Sequence, residues 1–575
     1  MARSVTGRER GDLLGDVHSF MWKFPFLFKV GQHANSMQSL KIGGHYFPYA
    51  WIISALILIG GSPYSFGAPP VISSAVKASI RSRVDNGYTP SIVIGMVNKD
   101  GRSFYGYGQT SYDSSRSPDE HTIYEIGSVS KILTTSLLAD LWLNGEVDLD
   151  DFVEDYLPDE VSMPSRNNRR ITLEHLATHY SGLPANPETL AGNDTTNPFV
   201  PFGVDLLYNY LNNHTLTRRP GVSFEYSNLG LGLLGHVLGI SQNQSFEALL
   251  KERLLNPLGM SETMISWDVS KNEQRAIGYS GVVERPFFKM ESLESAGAVL
   301  SNVHDMLTFA EYQIGLKESP LNDAFKEAHK KRVNTGQTGV DLGLGWFILS
   351  NVPSPILMHD GATMGHTAFL GMDIANQTAV VLFSNGRVNN YSGVQDIGIH
   401  VLFPQSPLRS IRRVPDVSVD RLQSIYGDFQ SDTGSTVQIG LERNHLTVEF
   451  SEDSGTQYTL YPVSSSRFMF YEATFEASAN LRFDGQGKPF ELTWRQNGES
   501  VTYQKVMRPA QLSLLAGDGN IHLDLVDGDG ATDYEIQGTQ DFQTWTSLGN
   551  LSLWDDPFKL DSDLPYQFFQ ALASE

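Results

Sequence analysis

Apolar and polar positions follow two different rhythms along this chain, and the change falls just past residue 405. Upstream, helical spacing is mixed with nearly unbroken apolar runs. Ile132, Leu133, Leu137, Leu138, Leu141 and Trp142 recur at helical spacing and predict a buried helix starting near Ser128. Val71 to Val84 reads as an earlier helix, and Leu229 to Ile240 as a glycine-rich apolar one that follows Tyr226-Ser227-Asn228. Thr172 is an N-cap candidate for a short helix over Leu173 to His179, which Ser181-Gly182-Leu183-Pro184 then breaks. Ser91 to Val97 and Arg102 to Tyr107 flank the turn Lys99-Asp100-Gly101 and predict a hairpin. Strands return late, at Gly345–Leu349, His366–Asp373 and Thr378–Ser384. Strands at both ends of a helix-rich stretch predict an α+β domain whose sheet is closed by segments distant in sequence.

Gln405 to Asp420, with its prolines and a small arginine cluster, reads as a linker. From Tyr426 the texture is all-β. Short alternating runs such as Leu446-Thr447-Val448-Glu449-Phe450 and Phe490-Glu491-Leu492-Thr493-Trp494 are separated by Gly, Asp and Asn turns. A further boundary near Pro509 precedes more short strands, among them Tyr534-Glu535-Ile536-Gln537 and Thr544-Trp545-Thr546. At the other end, Lys41 precedes the mostly apolar run Phe47 to Gly61, and Ser65 and Gly67 supply small residues at a cleavage point. The run is short for a membrane span, so residues 37–67 read as a secretory signal with Met37 as the true start, and an uncleaved anchor is the alternative. The expected location is secreted or periplasmic, with membrane contact only through an uncleaved leader.

Composition narrows the chemistry. With 42 Lys+Arg against 65 Asp+Glu, the net charge of −23 argues against holding a nucleic-acid backbone. The absence of cysteine excludes disulfides, thiolate metal sites and a cysteine nucleophile. A serine nucleophile remains. Ser128 and Lys131 stand one helical turn apart on one face, so a desolvated amine there would activate a hydroxyl that is otherwise a poor nucleophile. The spacing alone is weak, since Ser74 and Lys77 repeat it without supporting context. Tyr226 carries a hydroxyl suited to passing a proton between nucleophile and leaving group. Asn228 would hold a substrate amide or orient Lys131. In His359-Asp360-Gly361-Ala362, Gly361 lets a substrate lie close to the backbone. The N–H groups of Ala362 and Ser128 would form an oxyanion hole.

Taken in order, Ser128/Lys131, Tyr226-Ser227-Asn228 and His359-Asp360-Gly361 resemble the three motifs of the serine β-lactamase and penicillin-binding-protein superfamily. The closest branch is that of class C β-lactamases, DD-carboxypeptidases and related esterases. Pro220-Gly221, Asn256-Pro257-Leu258-Gly259-Met260 and Ala296-Gly297-Ala298-Val299-Leu300-Ser301 extend the likeness over roughly Pro69 to Phe403. The resemblance implies an antiparallel sheet flanked by helices, a helical subdomain, and two all-β modules behind it. It implies an acyl-enzyme on Ser128 with no metal and no organic cofactor. Its expected substrates are small molecules or peptides, cell-wall peptide among them, with a β-lactam, D-amino-acid peptide or ester carbonyl. A non-catalytic protein that recognises cell-wall peptide is the alternative. The domains are then 1–68 leader and signal, 69–405 hydrolase, 406–419 linker, 420–508 a barrel-like module that shapes the cleft or binds substrate, and 510–575 a small sandwich-like module.

Two departures from the family pattern bear on substrate. His359 replaces a lysine, as in some carboxypeptidases and esterases of the superfamily. Asp360 replaces the threonine that helps bind a substrate carboxylate, and a carboxylate there would repel one by about 1–4 kcal/mol. His366 is a candidate cation to neutralise it. Other clusters carry less. His175 and His179 lack a helper glutamate in the required place for zinc. Asp518, Asp524, Asp527, Asp529 and Asp533 lack EF-hand spacing and read as solvated turns.

Overall fold

In the computed structural model, the described residues are 68–190, 197–388, 391–451, 455–471 and 476–506, with strands between 511 and 573. The signal-like stretch 37–67 and three of the aspartates (Asp518, Asp529 and Asp533) lie outside them. No helix among the described residues is long and apolar enough to cross a membrane.

The first domain is built on one eight-stranded antiparallel sheet. Its spatial order is Gly101–Gly108, Ser91–Asn98, Thr378–Ser384, Thr367–Asp373, Ile356–Ala362, Phe347–Leu349, Val340–Leu342 and Val333–Asn334. The N-terminal hairpin therefore pairs with the last strand before the linker, Ile94 opposite Leu382, and closes the sheet across nearly three hundred residues of chain. Ser91–Asn98 is apolar without alternation because both its faces are covered. On one face, helices Ser74–Asp85 and Gln395–Leu402 bury Val76, Ile80, Ile397 and Ile399 against Ile92, Ile94, Phe369 and Leu382. On the other, Val303–Gln313 packs against the sheet, and Ser130–Leu143 and Asn228–Ser241 build a helical core beyond it.

Gly427–Ser431 to Glu499–Val506 form a closed eight-stranded barrel whose last strand pairs with its first. Its interior is filled by Phe429, Ile439, Val448, Phe468, Phe470, Leu492 and Trp494, with Leu422 and Ile425 of the helix Val419–Ile425 added to the same core. Barrels of this strand number are just wide enough for side chains to fill. Beyond it lie two three-stranded sheets sharing the core residues Leu523, Leu525, Tyr534 and Ile536. The stretch read as a linker is laid into the structure: Val414 N–H donates to Asn86 Oδ1 at 2.8 Å, and the Arg412 carbonyl accepts from Tyr88.

Candidate active site

The chain enters the site on the two-residue strand Tyr124–Glu125 and then makes a tight turn, Gly127–Val129, before the helix Ser130–Leu143 begins. The helix expected to start near Ser128 starts at Ser130, so Ser128 sits in the turn two residues ahead of it, with its side chain still one turn from Lys131. Gly127 has φ +51°, a conformation that favours glycine. The turn is pressed against the strand Ile356–Ala362. A Cβ on Gly127 would lie 2.6 Å from the Ala362 nitrogen, and one on Gly361 would lie 2.0 Å from the Ile126 carbonyl oxygen. Only hydrogen at these two positions lets strand and turn touch.

Lys131 is fully buried, and its Nζ has three oxygen neighbours: Ser128 Oγ at 3.0 Å, Asn228 Oδ1 at 2.7 Å and the Ala296 carbonyl at 2.6 Å. The carbonyl and amide oxygens only accept, whereas the serine hydroxyl also donates. A neutral amine has two N–H groups for the acceptors and one lone pair for the hydroxyl proton. Burial holds the Lys131 amine well below the ordinary lysine range, against the pull of the Asp360 carboxylate. Asn228 is fixed in turn: its Nδ2 donates to Asn186 Oδ1 at 3.0 Å, and it opens the helix Asn228–Ser241, which Ser227 caps through the Gly230 N–H.

Tyr226 is buried, with Lys131 Nζ 4.8 Å from its ring centroid. Burial pushes its hydroxyl well above the usual phenol range, while a hydrogen bond with Ser128 pulls the other way. Resting Tyr226 is therefore a phenol with a proton to give. The ring lies tilted against that of His179, with centroids 4.5 Å apart; the His179 Nδ1 accepts the Ser227 N–H, and its backbone adopts φ +60°. His175 serves the neighbouring cap, its Nδ1 accepting the Thr172 N–H. The i, i+4 histidine pair is thus spent on backbone, and no cluster of metal-ligating side chains occurs among the described residues.

On the facing strand, the Thr363 N–H donates to the His366 carbonyl, so alternation along the strand turns the Ala362 N–H to the opposite side, toward Gly127. The Ser128 and Ala362 amides therefore lie on either side of the contact between turn and strand. His359 is fully buried, 6.3 Å from the Tyr226 ring and 5.3 Å from Phe347. Its Nδ1 faces the Asp360 carbonyl, and burial, with Lys131 adding, pushes its pKa down to about 3. A neutral imidazole follows at working pH. The Asp360 carboxyl is pushed up to about 6 by burial, with its own backbone N–H, Arg387 and Lys131 pulling it back. The cation near Asp360 is Arg387. His366, the candidate from sequence, is instead 3.1 Å from the Glu125 carboxylate on the far side of the strand.

All eight residues singled out by sequence thus fall on two facing walls: Ser128, Lys131, Tyr226 and Asn228 on one, His359, Asp360, Gly361 and Ala362 on the other. Arg387, Asn186, the Ala296 carbonyl and the Glu125–His366 pair were missed. Each acts through a fold-dependent contact and carries no spacing signal. Two surface hollows, one lined by Lys77, Arg81 and Asp85 and one by Asp150, Arg169 and His175, include none of these eight residues.

The Beta-lactamase family model matches residues 76–401. Protein flp of Staphylococcus aureus is 25% identical over 326 residues, spanning 54% of this chain and 62% of its own length. D-alanyl-D-alanine-carboxypeptidase/endopeptidase AmpH of Escherichia coli is 25% identical over 364 residues, 60% of this chain and 94% of that one. Among solved structures, the octameric penicillin-binding protein homologue from Pyrococcus abyssi superposes with a TM-score of 0.51 at 20% identity, covering 74% of this chain and 99% of its own. That likeness is one of fold, and it takes in more of the chain than the family match does. Over more than half its length, and through all three motif segments, this chain belongs to the Beta-lactamase family.

Proposed function

We propose that the protein is a serine hydrolase working through an acyl-enzyme on Ser128. The observation that carries this reading is the setting of Lys131: a fully buried amine 3.0 Å from Ser128 Oγ whose other two neighbours, Asn228 Oδ1 and the Ala296 carbonyl, can only accept, so that a neutral amine would have its lone pair left for the hydroxyl proton. Lys131 takes the hydroxyl proton as Oγ bonds to the substrate carbonyl carbon. The Ser128 and Ala362 N–H groups meet the oxyanion that forms. Tyr226 gives its proton to the leaving group and recovers one from Lys131. Water then attacks the ester carbonyl, its proton passing to the same pair, and the acid product leaves Ser128 free. Neutral His359 shields this exchange and adds no charge.

The substrate class follows from Asp360. Asp360 stands where the superfamily pattern has the threonine that helps bind a substrate carboxylate, so esters and amine-bearing D-amino-acid peptides are favoured over anionic β-lactams. With the signal-like stretch 37–67 the enzyme works outside the cytoplasm, where cell-wall peptide is one available substrate.

A fluorophosphonate probe tests the reading. Wild-type protein is expected to gain one adduct on Ser128 by mass spectrometry, and Ser128→Ala none. A folded wild type that no acylating probe labels would replace this reading with the non-catalytic cell-wall-peptide binder. A panel of p-nitrophenyl esters, a D-Ala-D-Ala peptide and nitrocefin then orders the substrates, and nitrocefin turnover as fast as ester turnover would overturn the role given to Asp360.

A further inference from the structure

The barrel touches the catalytic domain at a small hairpin, Tyr279–Ser280 paired with Val283–Glu284. Thr459 of the barrel grips its tip from both directions. Its hydroxyl donates to the Ser280 carbonyl at 3.2 Å and accepts the Val282 N–H at 2.9 Å. Gly281, at φ +65°, makes room for this: a Cβ there would lie 2.2 Å from the Thr459 oxygen. Arg443 of the barrel donates to the Val282 carbonyl at 3.0 Å and pairs with Asp113 at 2.8 Å. In return, buried Arg285, just past the hairpin's second strand, donates to the Gln457 carbonyl at 2.9 Å. Thr459 and Arg285 are almost fully buried, so these bonds form in a dry setting where losing one leaves a buried polar group unpaired.

The base of the same hairpin holds the end of the third-motif strand. Tyr279 N–H points at the Gly365 and Asn385 carbonyls, 3.1 Å from each, and the Tyr279 carbonyl accepts the Arg387 N–H at 2.7 Å. Gly278 packs on the His366 ring. Arg387 in turn donates to the Thr363 carbonyl at 3.1 Å, one residue past Ala362, and its charge acts on the Asp360 carboxyl more strongly than that of Lys131. Two segments are therefore fixed through Tyr279: the turn Thr363–His366 that ends the oxyanion strand, and the backbone of Arg387.

We propose that the barrel is a working part of the hydrolase, with Thr459 and Arg443 as positioning residues that hold the hairpin 279–284 and, through it, the Ala362 amide and Arg387. This rests on the acyl-enzyme reading above, and it gives the barrel a role that needs no ligand in its interior. A displaced amide affects oxyanion stabilisation, a term that enters kcat more than KM.

The test uses the full-length protein. Thr459→Val keeps the shape and removes both bonds, Thr459→Ser keeps the hydroxyl, and Arg443→Gln attacks the clamp from its more exposed side. With the best ester of the panel, Thr459→Val is expected to lower kcat and the fluorophosphonate labelling rate about tenfold or more. KM should stay within about threefold, and Thr459→Ser should restore most of the loss. Arg443→Gln should shift kcat in the same direction, which keeps the test open if Thr459→Val does not fold. Wild-type labelling combined with unchanged kcat in the folded clamp variants would overturn the positioning role while the hydrolase stands. A drop in melting temperature without a drop in kcat would do the same, as a purely structural contact. A wild type that is never labelled would instead fail the hydrolase reading itself.

Discussion

At the scale of single residues, the site separates charges by burial. In the proposed mechanism Lys131 works only when neutral, so activity is expected to fall as pH drops through its depressed pKa and the amine takes up a proton. A plot of kcat/KM against pH is expected to show an acid limb far below the usual lysine range, and Lys131→Arg should cost at least about 10³-fold and erase that limb. The Asp360 carboxyl, pushed up to about 6 by burial, is the group proposed to select substrate charge. As pH falls through about 6 the carboxylate is lost, and the ratio of anionic to neutral substrate turnover should rise. In Asp360→Asn the ratio should be flat and at least about tenfold higher at pH 8. The same group gives a stability signature. Its folded pKa lies above the unfolded carboxyl value, so its charge costs stability fully above about 6 and not at all well below 4. Asp360→Asn should therefore raise the melting temperature more at pH 8 than at pH 5. Ser128 and Lys131 were legible in the sequence because their chemistry needs those residue types one helical turn apart, and Tyr226 because it opens the segment Tyr226-Ser227-Asn228 that follows them in the family's motif order. Arg387 was not, because its distance to Asp360 exists only after a loop from another strand returns.

At the scale of elements, the decisive contact is between a turn and a strand. Gly127 and Gly361 face each other's backbones with no space for a methyl group. Gly361→Ala would drive the strand Ile356–Ala362 away from the Ile126 carbonyl and carry the Ala362 amide with it. The loss of one oxyanion donor is worth about 10²–10³ in kcat. That loss is expected with the circular dichroism spectrum retained, and a Gly361→Ala enzyme of wild-type kcat would dismiss Ala362 as a donor. The long elements were readable for a physical reason. Ser91–Asn98 and Thr378–Ser384 are covered on both faces, so their apolar runs are unbroken, and the helix Asn228–Ser241 is apolar almost all round because it is buried almost all round. The hairpin 279–284 was invisible. Its strands are two residues each, too short for any period, and its identity comes from the barrel side chains that grip it.

At the scale of the molecule, the question is whether catalytic domain and barrel behave as two bodies on a tether or as one. The sequence between residues 405 and 420 argues for a tether, since prolines and arginines carry no core pattern. The structure argues otherwise. Tyr88 from the catalytic domain is fully buried among Tyr391, Tyr461 and Tyr471, with ring centroids 4.5, 5.0 and 6.3 Å away. The Tyr461 hydroxyl donates to the Gly87 carbonyl at 3.2 Å, and Ile411 and Val414 of the apparent linker pack into the same cluster. Domain motion is the default only where an interface is small or polar, and this one is a miniature aromatic core. Truncating a buried aromatic of this kind costs about 3–5 kcal/mol, a large fraction of the roughly 5–15 kcal/mol by which domains are stable. Calorimetry of the full-length protein is therefore expected to give one cooperative transition covering both units. Tyr88→Ala should split it, the barrel melting apart from the catalytic domain. Two resolved transitions already present in the wild type would mean that the cluster does not couple them. The clamp at Thr459 would then have to hold the oxyanion strand across a hinge, a geometry in which its two short bonds could not keep an amide in place.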